Sequence, residues 1–435
     1  MHKIFIRISL TVLIFLSFYL SFIIWTNNGG LRKNAVISSK NMTQVDYSRN
    51  LTNLYTPIKI FYVDQDSNKN LIPGRTNEVT AEVKRRLKNL NLKKLSAYNV
   101  DTNKHYESII DNNNSVQLYY QSPLSIKILA QVFGFKFDKD IGEFPANRII
   151  IAEVSPIECE IYFANDKTRK YYYSSLNLET DKIFSLAKNA KNRILIKERK
   201  SHDNFITLFQ SPVPLKSYTY LIKTLDDSYY VSSFMSNDGS AGLTFDSKTN
   251  TYKKGLTKTL TIDNKTGTVH FVDYHLEEKD VPHDLTSLLN LSKGVMQIIG
   301  NPFNSFRYFS NPEHNRVVFR SYIDGFPVFF SQKNGDISLS WGKTSESLYF
   351  ANSTLEVPIS TSQNSRMLEE TDTLIEKLNR KGIATKDIQD IQIGYSMVKN
   401  RESTEVVDLL PQYFVKLNGT YRAAATILNQ NLGGS

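Results

Sequence analysis

The chain of 435 residues has a single cysteine, Cys159, so no intrachain disulfide can form and a disulfide-stapled scaffold is excluded. Its seven histidines are His2, His105, His202, His270, His275, His283 and His314. None forms an H-E-x-x-H pair, and VHFVDYH sets His270 and His275 on opposite faces of a strand. G-x-x-x-x-G-K-[ST], G-x-G-x-x-G and G-x-S-x-G are all missing, and with them the usual phosphate cradles and the nucleophile elbow. The acidic pairs Glu369-Glu370 and Asp226-Asp227 are adjacent, and neighbours on a helix do not face each other. Ser185-Leu186-Ala187-Lys188 matches S-x-x-K and Lys265-Thr266-Gly267 matches K-T-G. In an acyl-serine enzyme the serine opens a helix and K-T-G lies on a facing strand. Here Ser185 sits inside a short helical pattern and K-T-G at a hairpin turn. No catalytic, cofactor-binding or metal-binding residue is assigned, and the expected protein is not an enzyme.

The first stretch does carry a signal. Ile8 to Trp25 is uncharged, and as a helix it is about 27 Å long, close to the roughly 30 Å hydrocarbon core of a bilayer. Lys3 and Arg7 precede it, and no Lys or Arg follows until Arg32. That asymmetry places the N-terminus inside and the bulk outside. The apolar run continues through Phe22, Ile23, Ile24 and Trp25 with no small-residue cleavage site, so an uncleaved signal anchor is expected rather than a signal peptide. Ser17 and Ser21 are four apart, on one face of that helix, a small-xxx-small pair suited to close packing against a partner helix.

Hydrophobic residues make up 40%, with 24 Tyr and 25 Phe, which is ample for packed cores and argues against disorder. The net charge is +10. Extracytoplasmic placement makes nucleic acid a poor partner, and anionic lipids, wall polymers or an acidic protein face better ones. The densest basic stretch, Lys84-Arg85-Arg86 through Lys88 to Lys93-Lys94, reads as the solvated face of an amphipathic helix. An exported chain without disulfides fits a Gram-positive bacterium.

Patterning gives an α+β protein: an anchor helix, then three α+β domains whose antiparallel sheets are each covered by helices, the last two structurally related. The expected divisions are a cytoplasmic end 1–7, an anchor 8–25, a linker 26–50, an N-terminal α+β domain 51–203, a middle sheet-plus-helix domain 204–343, a C-terminal one 344–428 and a tail 429–435. Val79, Val83, Leu87 and Leu90 repeat at helical spacing. A second helix is expected to open near Ser122-Pro123. RIIIAEV, IECEIYFAN and RKYYYSSL read as antiparallel strands, with Cys159 inward. NFITLF, SYTYLIKTL and SYYVSSF read as strands opening the middle domain, and KTLTIDNKTGTVHFVDYH as a hairpin. Asp284 is expected to cap a helix carrying Leu285, Leu288, Val295 and Ile299. SLYFANSTLEVPIS opens the last domain, and a helix near Ser365 follows with Leu368, Leu374, Ile375 and Leu378 inward.

The segments FRYFSNPEHNRVVFRSYIDGFPVFFSQKNGDISLSWG, SLYFANSTLEVPI, IQIGYSMV and LLPQYFVKLNGTY resemble the YycH family, above all in Tyr322, Gly325 and Pro327, in Trp341-Gly342 and in the stretch from Pro411 to Tyr421. The resemblance implies a single-pass extracytoplasmic accessory protein of a Gram-positive cell. Such a protein acts, with a sister protein YycI, on the essential sensor histidine kinase WalK of the WalK–WalR system governing cell-wall turnover. It carries no catalytic motif to transfer, and its Gly and Pro positions are expected to form turns rather than contacts. The alternative is a wall-polymer or lipid-binding module with cryptic hydrolase activity.

The uncharged run makes one direct prediction. N-terminal sequencing of protein extracted from membranes should begin at or near Met1. A start beyond Asn27 would show cleavage.

Overall fold

Ile149, Ile150 and Ile151 are all fully buried, so their strand has no solvent face. A strand covered on both sides reads as a continuous apolar run rather than an alternation. In the computed structural model of the chain this strand lies at the centre of the first of two large sheets. The structure describes residues 53–92, 95–99, 103–137, 142–201, 204–235, 242–245, 248–274, 277, 281–299, 306–313, 315–330, 336–400, 403 and 405–430, together with positions 7, 13, 14, 16 and 17.

The first half comprises β1 (Lys59–Val63), β2 (Lys69–Leu71), α1 (Thr76–Leu87), β3 (Asn91–Leu92), β4 (Ser96–Asn99), α2 (Asn103–Ile110), β5 (Ser115–Ser125), α3 (Ile126–Phe133), β6 (Lys136–Phe137), β7 (Pro145–Ser155), β8 (Glu158–Asn165), β9 (Lys170–Asn177), α4 (Asp181–Lys188), β10 (Ile194–Lys200) and β11 (Phe205–Phe209). Nine strands form one antiparallel sheet in the order β11-β10-β2-β1-β5-β7-β8-β9-β4, and β3 and β6 make a small parallel pair beside it.

One face of this sheet packs Ile60, Tyr62, Leu118, Ile149, Ile151 and Cys159 beneath α1, α3 and α4. The other packs Ile150, Ala152 and Tyr162 beneath α2. Cys159 is inward as expected, and burial pushes its thiol up to about 12. In α1, Val79, Val83 and Leu87 are fully buried on one stripe. The helix expected at Ser122-Pro123 starts later. β5 continues to Ser125, whose hydroxyl caps α3 by accepting from the Lys127 N–H at 3.2 Å. Gly134 ends that helix in the left-handed region.

The second half comprises β12 (Val213–Thr224), α5 (Asp227–Met235), β13 (Gly242–Phe245), β14 (Thr249–Lys254), β15 (Lys258–Asp263), β16 (Thr268–Asp273), α6 (Leu285–Ile299), β17 (Phe306–Glu313), β18 (Arg316–Ile323), β19 (Phe326–Phe330), β20 (Asp336–Trp341), β21 (Glu346–Ala351), β22 (Ser353–Leu368), α7 (Thr371–Arg380), β23 (Asp390–Lys399), β24 (Val406–Leu417), β25 (Thr420–Ala423) and α8 (Ala424–Asn429). These strands join in one 14-stranded sheet, along the order β13-β14-β15-β16-β21-β20-β18-β19-β23-β24-β12-β22, with β17 on β18 and β25 on β24.

Several elements depart from the sequence reading. SYYVSSF is helical, because Tyr230 and Phe234, one turn apart, both bury against Phe350. SLYFANSTLEVPIS is two strands, β21 beside β16 and β20, and β22 beside β12. Ser365 to Leu368 stays in β22, and α7 opens only at Thr371. Sheet membership also crosses the sequence order. β11 pairs with β10 in the first sheet, whereas β12 runs between β24 and β22. Asp284 does cap α6, accepting from the Ser287 N–H at 2.6 Å. Ser17 is helical, Ser21 lies outside the described residues, and no helix among the described residues is long and apolar enough to cross a membrane.

A buried ion network ties the first sheet together. Arg148 on β7 is fully buried and holds two carboxylates in paired hydrogen bonds. It donates to Asp166 at 3.2 and 3.0 Å and to Glu198 at 3.1 and 2.9 Å. Lys69 on β2 pairs with Glu198 and donates to the Ile110 carbonyl at 2.7 Å. Burial alone would push the Glu198 carboxyl up, but Arg148 and Lys69 outweigh it and hold it down at about 2. Its folded value is therefore below its ordinary 4.5. The stabilisation is complete above that value and is lost as pH falls towards 2.

Glu198→Gln should accordingly cost about 3–5 kcal/mol at neutral pH, because it leaves Arg148 under-compensated in the interior. Urea unfolding followed at stepped pH should also show a shallower acid dependence in the variant. An acid dependence equal to wild type would place the titrating group elsewhere.

Candidate interaction surface

The segment that carries Tyr322, Gly325 and Pro327 lies at the centre of the molecule. β18 and β19 form a two-residue hairpin in which Ile323 pairs with Phe326. Both turn residues are left-handed, Asp324 at φ 51° and Gly325 at φ 83°. Asp and Gly are the residues that tolerate this type I′ geometry best. The turn packs against the first half: a Cβ on Gly325 would stand 3.3 Å from the Gly74 nitrogen. Gly325 is a turn-former, as the sequence suggested, and it also packs against the first half of the molecule.

Beyond the turn, β19 pairs in parallel with β23, Val328 opposite Tyr395. Gly394 makes this possible. A Cβ there would sit 2.6 Å from the Pro327 carbonyl oxygen and 2.8 Å from the Phe329 ring. Phe329 stacks on Phe414 at 3.8 Å, and Arg320 lies 4.0 Å from the Phe329 ring and 4.1 Å from that of Phe309. The cavity left at this junction, between Lys59, Pro73, Tyr322 and Gln392, is about 20 Å³. It has room for a water-sized guest and not for a small-molecule ligand.

A polar seal borders the junction. The Asp390 carboxylate accepts from Gln121 at 2.9 Å, from Gln392 at 2.8 Å and from the Tyr421 hydroxyl. Burial, then Asp390, drives the Tyr421 pKa upward, so the phenol stays protonated and donating. Gln121 comes from the first half and the others from the last strands. Further bonds cross the same boundary: Tyr55 to the Leu289 carbonyl at 2.6 Å, Arg307 to the Pro57 carbonyl at 3.1 Å, and the Phe209 N–H to Thr371 Oγ1 at 2.8 Å. Sequence reasoning missed this constellation. Its members are far apart in the chain and carry no motif.

The S-x-x-K and K-T-G residues are not brought into one cleft. Ser185 is exposed on α4, its hydroxyl donating to the Lys182 carbonyl at 3.0 Å, and Lys265 to Gly267 form the turn between β15 and β16 of the other sheet. Among the described residues no group of three or more His, Cys, Asp or Glu could hold a metal ion. His270 bonds Ser347 at 2.9 Å, and His2, His202, His275 and His314 lie outside the described residues. In the basic stretch, Arg85 and Arg86 both grip Glu82, and their hydrogen bonds hold its carboxyl at about 2 despite burial.

What faces solvent is a strip of apolar side chains on the last strands. Val357, Ile359 and Met367 on β22, Val398 on β23 and Leu410 on β24 are all exposed. A groove of about 360 Å³ runs beside them, lined by Tyr218, Thr219, Arg366, Asp408 and Leu410. β22 ends the sheet, but Pro358 and three register shifts against β12 break its ladder. Bulges and proline are the usual protection of an edge against pairing. Side-chain packing on the strip, rather than strand addition, is what this surface offers.

The described fold is thus a nine-stranded antiparallel sheet packed with a 14-stranded sheet that is antiparallel except at its β19–β23 pair. Two family models cover this chain: the YycH protein N-terminal domain matches residues 5–194 and the YycH protein C-terminal domain matches 204–431. The chain belongs to the YycH family. The crystal structure of YycH from Bacillus subtilis is similar at a TM-score of 0.70 and 14% identity, over 86% of this chain and 96% of that one. At that identity the likeness shows a shared fold. An uncharacterized protein from Eubacterium rectale is similar at a TM-score of 0.33 and 9% identity, over 52% of this chain and 88% of that one, too little to bear on the fold. No curated protein matches the chain.

The close approach at β23 is testable. Gly394→Ala should destabilise the protein by about 1–3 kcal/mol, the cost of overpacking a filled site. The check is the denaturation midpoint, with a nearby Ser396→Ala as the control that should change little.

Proposed function

We propose that this protein is a membrane-anchored extracytoplasmic regulator of an essential sensor histidine kinase controlling cell-wall metabolism, of the WalK–WalR type. It works by protein–protein contact with the kinase and a YycI-like sister protein. The single observation that carries the reading is that YycH family models match both halves of the chain. The surface is consistent with it: an exposed apolar strip on β22, β23 and β24 beside a shallow groove, and a buried junction with no ligand-sized space. Large exposed apolar patches are characteristic of partner sites.

In this reading the signal passes within the bilayer or outside it. Lipid tails are as apolar as leucine, and helices associate there by close packing and interhelical hydrogen bonds. Ser17 and Ser21 form the proposed seam against the kinase or sister-protein helix. A second reading, contact with anionic lipid or wall polymer, is favoured by the net charge of +10.

Replacing Ser17 and Ser21 together by Leu keeps insertion and blocks close approach, at a cost of about 1–2 kcal/mol in helix association. Co-purification of the kinase from cross-linked membranes should fall, and transcription of its target genes should change. Wild-type levels of both would place the coupling in the ectodomain.

A further inference from the structure

The cavity at the joint is walled by three parts of the chain: Lys59 of β1 and Thr76 of α1 from the first half, Tyr322 of β18, and Gln392 of β23. Two of these walls carry a polar atom that the protein leaves unpaired. Tyr322 is 6% exposed and Gln392 2% exposed. Among the described residues, neither the Tyr322 hydroxyl nor the Gln392 side-chain carbonyl oxygen has a protein hydrogen-bond partner. Burying a polar group without a partner is costly, because the bonds it made to water are not replaced.

Gln392 is oriented from its other end. Its amide nitrogen donates to the Asp390 carboxylate at 2.8 Å. A carboxylate only accepts, so turning the amide over would set oxygen against oxygen. The carbonyl end is therefore the one left over. On the facing wall, burial pushes the Tyr322 pKa upward, so the phenol keeps its proton. Arg307 lies over the Tyr322 ring, 5.2 Å from its centre, and so engages the ring and not the hydroxyl. Other buried side-chain atoms without a partner have a different setting. Arg169 lies over the Phe205 ring and Arg320 over the Phe329 ring, and neither they nor Arg199 and Tyr395 line this cavity.

We propose that the cavity is a binding site for one structural water, which accepts from the Tyr322 hydroxyl and donates to the Gln392 carbonyl oxygen. The size fits. The cavity is about 20 Å³, and a single water needs roughly 10–15 Å³. The chemistry fits as well. One wall offers a donor and the other an acceptor, and water satisfies both at once. A metal ion is opposed by the Lys59 ammonium on the third wall, which gives one of its protons to Thr207 Oγ1 at 3.0 Å. An anion is opposed by the Gln392 oxygen. The water ties β18 to β23 beside the place where the Pro327 carbonyl closes on Gly394, so it belongs to the joint itself. The site stands whether or not the chain regulates a kinase.

Two measurements on the full chain test this. A crystal structure at a resolution that shows ordered water should place a peak about 2.6–3.2 Å from both Tyr322 Oη and Gln392 Oε1. An empty cavity, a peak that touches neither atom, or a direct bond between the two side chains overturns the proposal. The second measurement turns on a sign. A hydroxyl buried in a dry cavity is a burden, and Tyr322→Phe would then leave the urea midpoint unchanged or raise it. A hydroxyl that anchors a water is an asset, and the same substitution should lower the midpoint, with the Arg307 contact kept by the phenyl ring. A midpoint that stays or rises overturns the bridge. If the variant fails to fold, the wild-type crystal structure decides.

Discussion

The architecture hangs on a short parallel ladder in which Val328 to Phe330 of β19 run beside Tyr395 to Met397 of β23. The chain leaves the middle of the large sheet along β18, reverses at Asp324 and Gly325, and delivers β19 to the last group of strands. Each step has a steric condition. The reversal needs two residues tolerant of positive φ. The landing needs a residue without a side chain at 394, because the Pro327 carbonyl occupies that space. Without the landing, β12, β22, β23 and β24 would not be continuous with the sheet that β13 to β21 build. The same hairpin presses on Gly74, so one turn holds both halves of the molecule in place.

Polar groups specify this arrangement more than they stabilise it. Arg148 with Asp166, Glu198 and Lys69 is buried and balanced in charge, and such networks gain little over an apolar core while being costly to break. Their contribution is registry, since a slip of β10 or β2 by one residue would strand a charge. Gln121, Asp390, Gln392 and Tyr421 do the same between the first half and the last strands. Two apolar cores run across these boundaries, one from Tyr55 to Phe350 and one from Ile58 to Ile427. The two halves therefore share their cores.

Among the positions by which the family is recognised, Tyr322 and Pro327 are buried and Gly325 is half-buried, and all three sit at the joint. The exposed apolar residues Val357, Ile359, Val398 and Leu410 also lie within segments that resemble the family. The family resemblance therefore spans both interior and exposed positions.

The sequence by itself determined the local elements whose periodicity faces one environment. The alternation in IECEIYF placed Cys159 inward, the spacing of Val79, Val83 and Leu87 made a helix stripe, and Asp284 marked a helix start. Where the pattern served two periods it misled: in SYYVSSF the alternating aromatics also fall one turn apart, and burial against Phe350 decided for the helix. Strand partners were decided only in the tertiary structure. β12 finds β22 and β24 far along the chain, and backbone hydrogen bonds carry no sequence address. The ion network was equally hidden. Arg148, Asp166, Glu198 and Lys69 are scattered in sequence and look like surface charges until the sheet brings them together and excludes water from them.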